Sequence, residues 1–209
     1  MGRHNINPKT NLPVRDEESD LPVEAFHGRL HATVLFLIPL VKLIFRVKEP
    51  IDIENIPKTG GMIIASNHTR WTNVFVAQSV IKHHLFYLGK SSILKWPIAG
   101  KMVMSLGNIP VNRSVHNSKA LKYAVNLLKK GNVIIIFPEG ACNRGKEMLP
   151  LKFGAVSMAQ KANVPIVPMA IRKGKTMFGK PIKVGKNLEK ANDELYKRIS
   201  AMRKELFNV

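Results

Sequence analysis

Apolar residues fall into two kinds of cluster along this 209-residue chain. Short unbroken runs predict buried strands, and runs spaced by three and four predict amphipathic helices. Met62–Ala65, His84–Leu88 and Val133–Phe137 are of the first kind. Val133–Phe137 (VIIIF) is apolar at every position, as a central strand covered by helices on both faces requires. Gly107–Val111 reads as extended around Pro110. Val164–Ile171 reads as a strand that Pro165 and Pro168 push toward a sheet edge, because proline removes a ladder donor. Pro181–Val184 predicts one more short strand. Helical spacing marks Trp71–Ile81, Ile93–Met104, Ser118–Lys130, Phe153–Ala162 and residues 189–207. In Ser118–Lys130 the stripe is Leu121, Val125 and Leu128; lysines line the other face and Gly131 supplies the stop. Strands alternating with helices predict an α/β domain with a mixed, mostly parallel sheet flanked by helices.

This domain is expected over residues 51–209, behind a flexible N-terminus (1–20) and a helical arm (21–50). The arm's uninterrupted apolar run, Ala32–Val41, is ten residues long. A bilayer span needs about 20. Pro39 would kink a helix there, and Arg29, Lys42, Arg46 and Lys48 flank or punctuate the stretch. A helix lying at a membrane interface fits this pattern, with a core helix of the domain as the competing reading. The first twenty residues carry an Asp-Glu-Glu run and no apolar core, unlike a signal peptide.

Charge sharpens this picture. The formal net charge is +19, and all of that excess falls within residues 55–188, where Glu139 and Glu147 are the only acids. Asp16, Asp20, Asp52 and Asp193 all lie outside that segment, so a site built wholly within it contains no aspartate. Such a surface seeks anions: nucleic acid, an anionic bilayer, phosphorylated metabolites or an acidic carrier protein. Nucleic acid is the poorest fit, because aromatic residues make up only 7% and no recognised motif appears. An apolar fraction of 45% excludes a disordered chain. The single cysteine, Cys142, excludes an intrachain disulfide and fits a reducing, cytosolic setting.

Three constellations have chemical potential. Asn67-His68 directly follows the Met62–Ala65 run, and α/β domains place reactive groups at strand ends. Asn73, five residues on, either orients His68 by accepting from Nδ1–H, leaving Nε2 as a base, or the segment is a polar strand–helix junction with Asn67 as the N-cap. Glu139 sits at the end of VIIIF, where an unpaired carboxylate is costly, so it is expected to fix a neighbour or orient a substrate hydroxyl. Arg113 is suited to clamp a phosphate bidentately, with Lys90 as a second cation, although either alone is one solvated charge among 33.

Several look-alikes fail. Gly140–Glu147 matches G-x4-G-K but has Glu147 where a P-loop needs Ser or Thr. His27 and His31 have zinc-pair spacing without the glutamate or a third ligand, and adjacent His83 and His84 point apart in a strand, so no metal is expected. Cys142 lacks any local feature that would activate its thiol.

Taken together, NHTRWTN, GNIPVNR, FPEG and VPIVPMAI with the later FGKPI resemble the four blocks of the lysophosphatidic acid acyltransferase family (1-acylglycerol-3-phosphate O-acyltransferases), from about Ile51 to Val184. The resemblance implies the glycerophospholipid acyltransferase fold, with its N-terminal arm on a membrane. It implies transfer of an acyl group from acyl-CoA or acyl carrier protein to the lysophosphatidic acid hydroxyl, with no cofactor and no covalent enzyme intermediate. His68 would be the general base, Arg113 and Lys90 would hold the lysolipid phosphate, and Glu139 would support the acceptor site. Backbone amides near Gly140 would meet the thioester oxyanion. The implied location is peripheral, on the cytoplasmic face of an anionic membrane. Two positions depart from the pattern. Asn73 stands where the family has aspartate, and the arginine that follows the third block comes later, as Arg144. The first departure leaves two alternatives: a weakened or inactive lysolipid- or membrane-binding relative, or an acyltransferase for another lysolipid.

Overall fold

The computed structural model describes residues 6–7, 12–13, 38–90, 107–111, 118–145 and 147–208. A two-residue ladder joins β1 (Ile6–Asn7) to β2 (Leu12–Pro13). The main body is a six-stranded sheet of β3 (Met62–Ser66), β4 (Leu85–Lys90), β5 (Asn108–Val111), β6 (Val133–Ile136), β7 (Ile166–Arg172) and β8 (Lys175–Phe178), in the order β5-β4-β6-β3-β7-β8. Its neighbours run parallel except β7–β8, an antiparallel pair. This is the mixed, mostly parallel α/β sheet that the hydrophobic pattern predicts.

Alternation within β3 divides the core. Ile63 and Ala65 point to one face, where α3 (Ser118–Lys129), α4 (Gly154–Ala162) and α5 (Leu188–Asn208) supply Ala124, Leu128, Met158, Leu195 and Ile199. Met62 and Ile64 point to the other face, against Val76, Ala77 and Val80 of α2 (Asn73–Val80). Beyond α2 lies α1 (Ile38–Ile44), joined to it through stacking of Phe45 on Phe75, ring centroids 6.4 Å apart. Leu40, Leu43 and Ile44 on α1 are exposed, as is Trp71 before α2. Among the described residues, no helix is long and apolar enough to cross a membrane. The predicted helix Ile93–Met104 and the His27/His31 pair lie outside the described residues.

β6 is the central strand expected, between β4 and β3. β7 corrects an expectation: it is an interior strand, despite its prolines. Pro165 precedes it. Pro168 accepts from Gly179 N–H at 2.8 Å, so its nitrogen faces the same side, between the end of β8 and the bridge of Ile166 to Ile182. The partner chain has left the ladder there, so the missing donor costs no bond. The strand expected at Pro181–Val184 is only that single bridge, and β8 had no forecast of its own. It forms because Lys173 and Gly174, at φ 47° and 80°, close a two-residue hairpin.

Candidate functional site

All five parallel strands point their C-terminal ends the same way, and the candidate residues gather at that edge. His68 follows β3 and Glu139 follows β6, on adjacent parallel strands. Glu139 is buried at 5% exposure, and both of its carboxylate oxygens are engaged. Oε1 accepts the His68 backbone N–H at 3.1 Å. Oε2 accepts the Asn143 side-chain amide at 2.8 Å and the Leu149 N–H at 2.9 Å. Among the described residues these partners are neutral donors, so the charge is solvated by N–H groups, as a buried carboxylate needs. Glu139 therefore ties the turn carrying His68 to the loop of residues 141–150.

The turn is held on its other side as well. The His68 carbonyl accepts from Asn143 N–H at 2.6 Å, and its ring stacks on Phe137, centroids 4.0 Å apart at 22°. Both peptide groups of His68 and its ring plane are thus fixed from the loop after β6. Asn143 is a hub that the sequence reading missed. Its Oδ1 accepts from Gly145 N–H at 2.9 Å and its amide also reaches the Glu147 carbonyl at 2.7 Å. The Asn-x-Gly spacing, a favoured Asx turn, was the available signal.

Two expectations for this edge need correction. Asn73 Oδ1 accepts from Arg70 N–H at 2.6 Å and from the Thr69 hydroxyl at 3.3 Å, so both lone pairs serve the turn rather than the expected imidazole N–H. Asn67 is no N-cap: Thr72 occupies that position. Asn67, fully buried, instead donates to the Ile171 carbonyl at 3.1 Å and accepts Ile171 N–H at 2.8 Å, clamping β3 to β7. Near the expected oxyanion position, the Gly140 N–H itself is committed to the Phe137 carbonyl at 3.0 Å and closes the Phe137–Gly140 turn. Its positive φ of 73° favours glycine there.

Lys90 ends β4, beyond β6 from His68, and the side chain is outside the described set. Arg113 also lies outside the described residues. Arg144 is exposed and lines a cleft of about 530 Å³ next to the His68 turn, with Thr69, Arg70 and Asn73 on its wall. Among the described residues after β6, the chain runs through turns and α4 begins only at Gly154. Among the described residues, no cluster of three or more His, Cys, Asp or Glu side chains could hold a metal. Behind the site, burial pushes the Tyr87 phenol up, so it stays neutral; it donates toward Gln78 Oε1 at 3.2 Å.

A histidine thus stands at the end of one parallel strand, its main chain pinned by a carboxylate from the next strand, beside a cationic cleft of an α/β sheet. Comparisons with known proteins give the class. The acyltransferase family model matches residues 49–172, more than half of the chain. The chain is 30% identical over 152 residues to the 1-acyl-sn-glycerol-3-phosphate acyltransferase of Bacillus subtilis (strain 168), across 69% of this chain and 75% of that protein. It is 32% identical over 139 residues to the enzyme of the same name from Escherichia coli (strain K12), across 65% of this chain and 55% of that protein, so it spans only about half the E. coli relative. The crystal structure of the 1-acyl-sn-glycerophosphate (LPA) acyltransferase PlsC from Thermotoga maritima superposes with a TM-score of 0.70 at 21% identity, covering 88% of this chain and 85% of that one. That likeness establishes the fold. The chain belongs to the acyltransferase family.

Proposed function

We propose that this protein moves a fatty acyl group from an acyl thioester, acyl-CoA or acyl carrier protein, to the free hydroxyl of lysophosphatidic acid, giving phosphatidic acid for phospholipid synthesis. The observation that carries this reading is the pinned His68 at the C-terminal end of β3, within the matched family segment. The imidazole takes the hydroxyl proton as the oxygen attacks the thioester carbonyl. The tetrahedral intermediate then expels the thiolate, and the imidazolium returns the proton to it. The products are the new ester and a free thiol, and no cofactor or metal enters the balance. Glu139 acts here as a positioning residue, holding the His68 main chain. Lys90, Arg113 and Arg144 supply positive charge for the substrate phosphates.

The reaction belongs at the cytoplasmic face of an anionic membrane, with the protein bound peripherally. Leu40, Leu43 and Ile44 of α1 present apolar surface, and Lys42 and Lys48 add the matching charge.

The test is thiol release from acyl-CoA and from acyl carrier protein, with and without lysophosphatidic acid in mixed micelles. Release that depends on the acceptor is expected, and His68→Ala should reduce it by about 10²–10⁴-fold, the usual contribution of a positioned base. Absence of release with both donors would favour a lysolipid-binding relative. Normal turnover in His68→Ala would remove the histidine from its role.

A further inference from the structure

We propose that the cleft between the His68 turn, the β7–β8 hairpin and α5 is a second anion site, and that it holds the phosphate groups of the acyl-thioester donor. This inference rests on the acyl-transfer reading above. Six cations line the cleft: Arg46, Arg70, Arg144, Arg172, Lys173 and Arg203. Among the described residues no acid lines it. Like charges gathered in one concavity repel each other, and low-dielectric walls concentrate their field. A multiply charged anion relieves that repulsion. A phosphate monoester, at roughly −1.5 to −2, is well matched; CoA carries such a monoester and a diphosphate, and acyl carrier protein a phosphodiester on its pantetheine arm.

The position in the sheet separates this site from the one expected for the acceptor. Lys90 ends β4, which lies on the β6 side of β3. The cleft opens mainly toward β7, where Ile171, Arg172, Lys173 and Gly174 line it, with Arg144 and Gly145 reaching it from the loop after β6. His68 stands between them. Transfer between two anionic substrates needs two such attractions, one on each side of the base.

Three of the six cations, Arg46, Lys173 and Arg203, lie outside the matched family residues 49–172. Arg46 and Lys173 take φ values of 48° and 47°, a region that favours glycine or asparagine. Long cationic side chains at both positions are not what the backbone selects. Gly174 docks the hairpin on the end of α1. A Cβ there would lie 2.5 Å from the Arg46 carbonyl oxygen, and Lys48 N–H donates to Gly174 O at 3.0 Å. On the far wall the Arg172 guanidinium lies 3.4 Å from the centroid of the Phe207 ring. Arg203, buried at 5% exposure, donates to the Gly145 carbonyl and so fixes the loop that carries Arg144. The walls are therefore tied down, while Arg46, Arg70, Arg144 and Lys173 are exposed at the rim.

The test removes rim charge without touching the walls. A triple variant, Arg46→Gln with Arg70→Gln and Lys173→Gln, is compared with a control triple of equal charge change at exposed positions elsewhere, Lys122→Gln, Lys161→Gln and Lys183→Gln. Equilibrium dialysis measures binding of CoA and of phosphopantetheine-loaded acyl carrier protein, with thermal melts to confirm folding. The rim triple is expected to lose at least about tenfold in affinity for one of these donors, and the control less than about twofold. In turnover, the donor KM should rise by a similar factor, while the lysophosphatidic acid KM stays within about twofold. An acyl thioester of N-acetylcysteamine, which has no phosphate, should be used equally by wild type and rim triple. Unchanged affinity for both donors, an equal loss in the control, or a rise in lysolipid KM instead would overturn the proposal. Dialysis reads the site without turnover. A wild type that binds donor through the rim but transfers no acyl group would therefore uphold the site and refute the acyl-transfer reading.

Discussion

The two sides of the His68 turn are made of different material. On the floor, Asn67 and Glu139 are buried, and their side chains bond to the protein's own backbone and to the Asn143 amide. On the rim, Arg46, Arg70, Arg144 and Lys173 are exposed. A buried polar group earns its place only through satisfied geometry, and loses stability when a partner is removed. An exposed cation contributes little to folding and acts through its field. The floor therefore sets where the histidine is, and the rim sets what is drawn to it. Floor variants should lower stability and turnover together, whereas rim variants should move apparent affinities alone.

The largest effect expected on the floor is at Glu139. Glu139→Ala strands three donors, His68 N–H, Leu149 N–H and the Asn143 amide. Leaving buried donors unmet costs about 1–3 kcal/mol each, and these share one site, so a total of about 2–4 kcal/mol is expected. For a domain of this size that lowers Tm by about 5–15 °C. The kcat should fall at least about tenfold, because the loop fixing both sides of His68 is released. Glu139→Gln keeps one oxygen for Asn143 and Leu149 but turns an amide toward His68 N–H. It should recover part of the Tm and part of the kcat together. A Glu139→Ala protein with normal Tm and reduced kcat would place the carboxylate among the reacting groups and break the comparison.

Next is Asn67. Its side chain meets both the N–H and the C=O of Ile171, a residue with 1% exposure. Asn67→Ala should cost about 1–3 kcal/mol, measured by urea unfolding. Asn67→Asp should be worse than Ala at neutral pH, because it sets a carboxylate against the Ile171 carbonyl. Equal stability of the two variants would show that the clamp is not under strain from charge.

Much of the fold was legible because its signals are local. VIIIF, the stripe of α3 and Gly131 at φ 88° each state their element within a few residues. The placement of β7 was not legible, because Pro168 is tolerated only where a distant segment, Gly179–Pro181, leaves the ladder. The site followed the same rule. His68 and Glu139 could be picked out by their position after apolar runs. Their connection could not, since it passes through Asn143 and through a register that only the parallel pairing of β3 and β6 creates. The cleft was invisible because its cations come from five separated segments, each of which reads as an ordinary solvated charge.

The smallest effect is expected where the family pattern is broken most visibly. Asn73 stands in the place of an aspartate, and in a serine protease the loss of a comparable carboxylate costs about 10⁴ in turnover. Here the amide oxygen already accepts from Arg70 N–H and the Thr69 hydroxyl. A carboxylate at this position keeps both bonds and strengthens them by its charge. Asn73→Asp should therefore raise stability by no more than about 1 kcal/mol. Turnover should change by less than about tenfold, because His68 is oriented by the Phe137 ring and by its own two peptide groups, none of which the substitution touches. A gain of a thousandfold would mean that the imidazolium lacks a stabilising charge in the native site and that the floor is incomplete without it. A loss beyond tenfold would mean that the Asn73 amide donor is in use during the reaction. Only a rate near that of the native protein leaves the division intact, with orientation supplied by the floor's main chain and charge supplied by the rim.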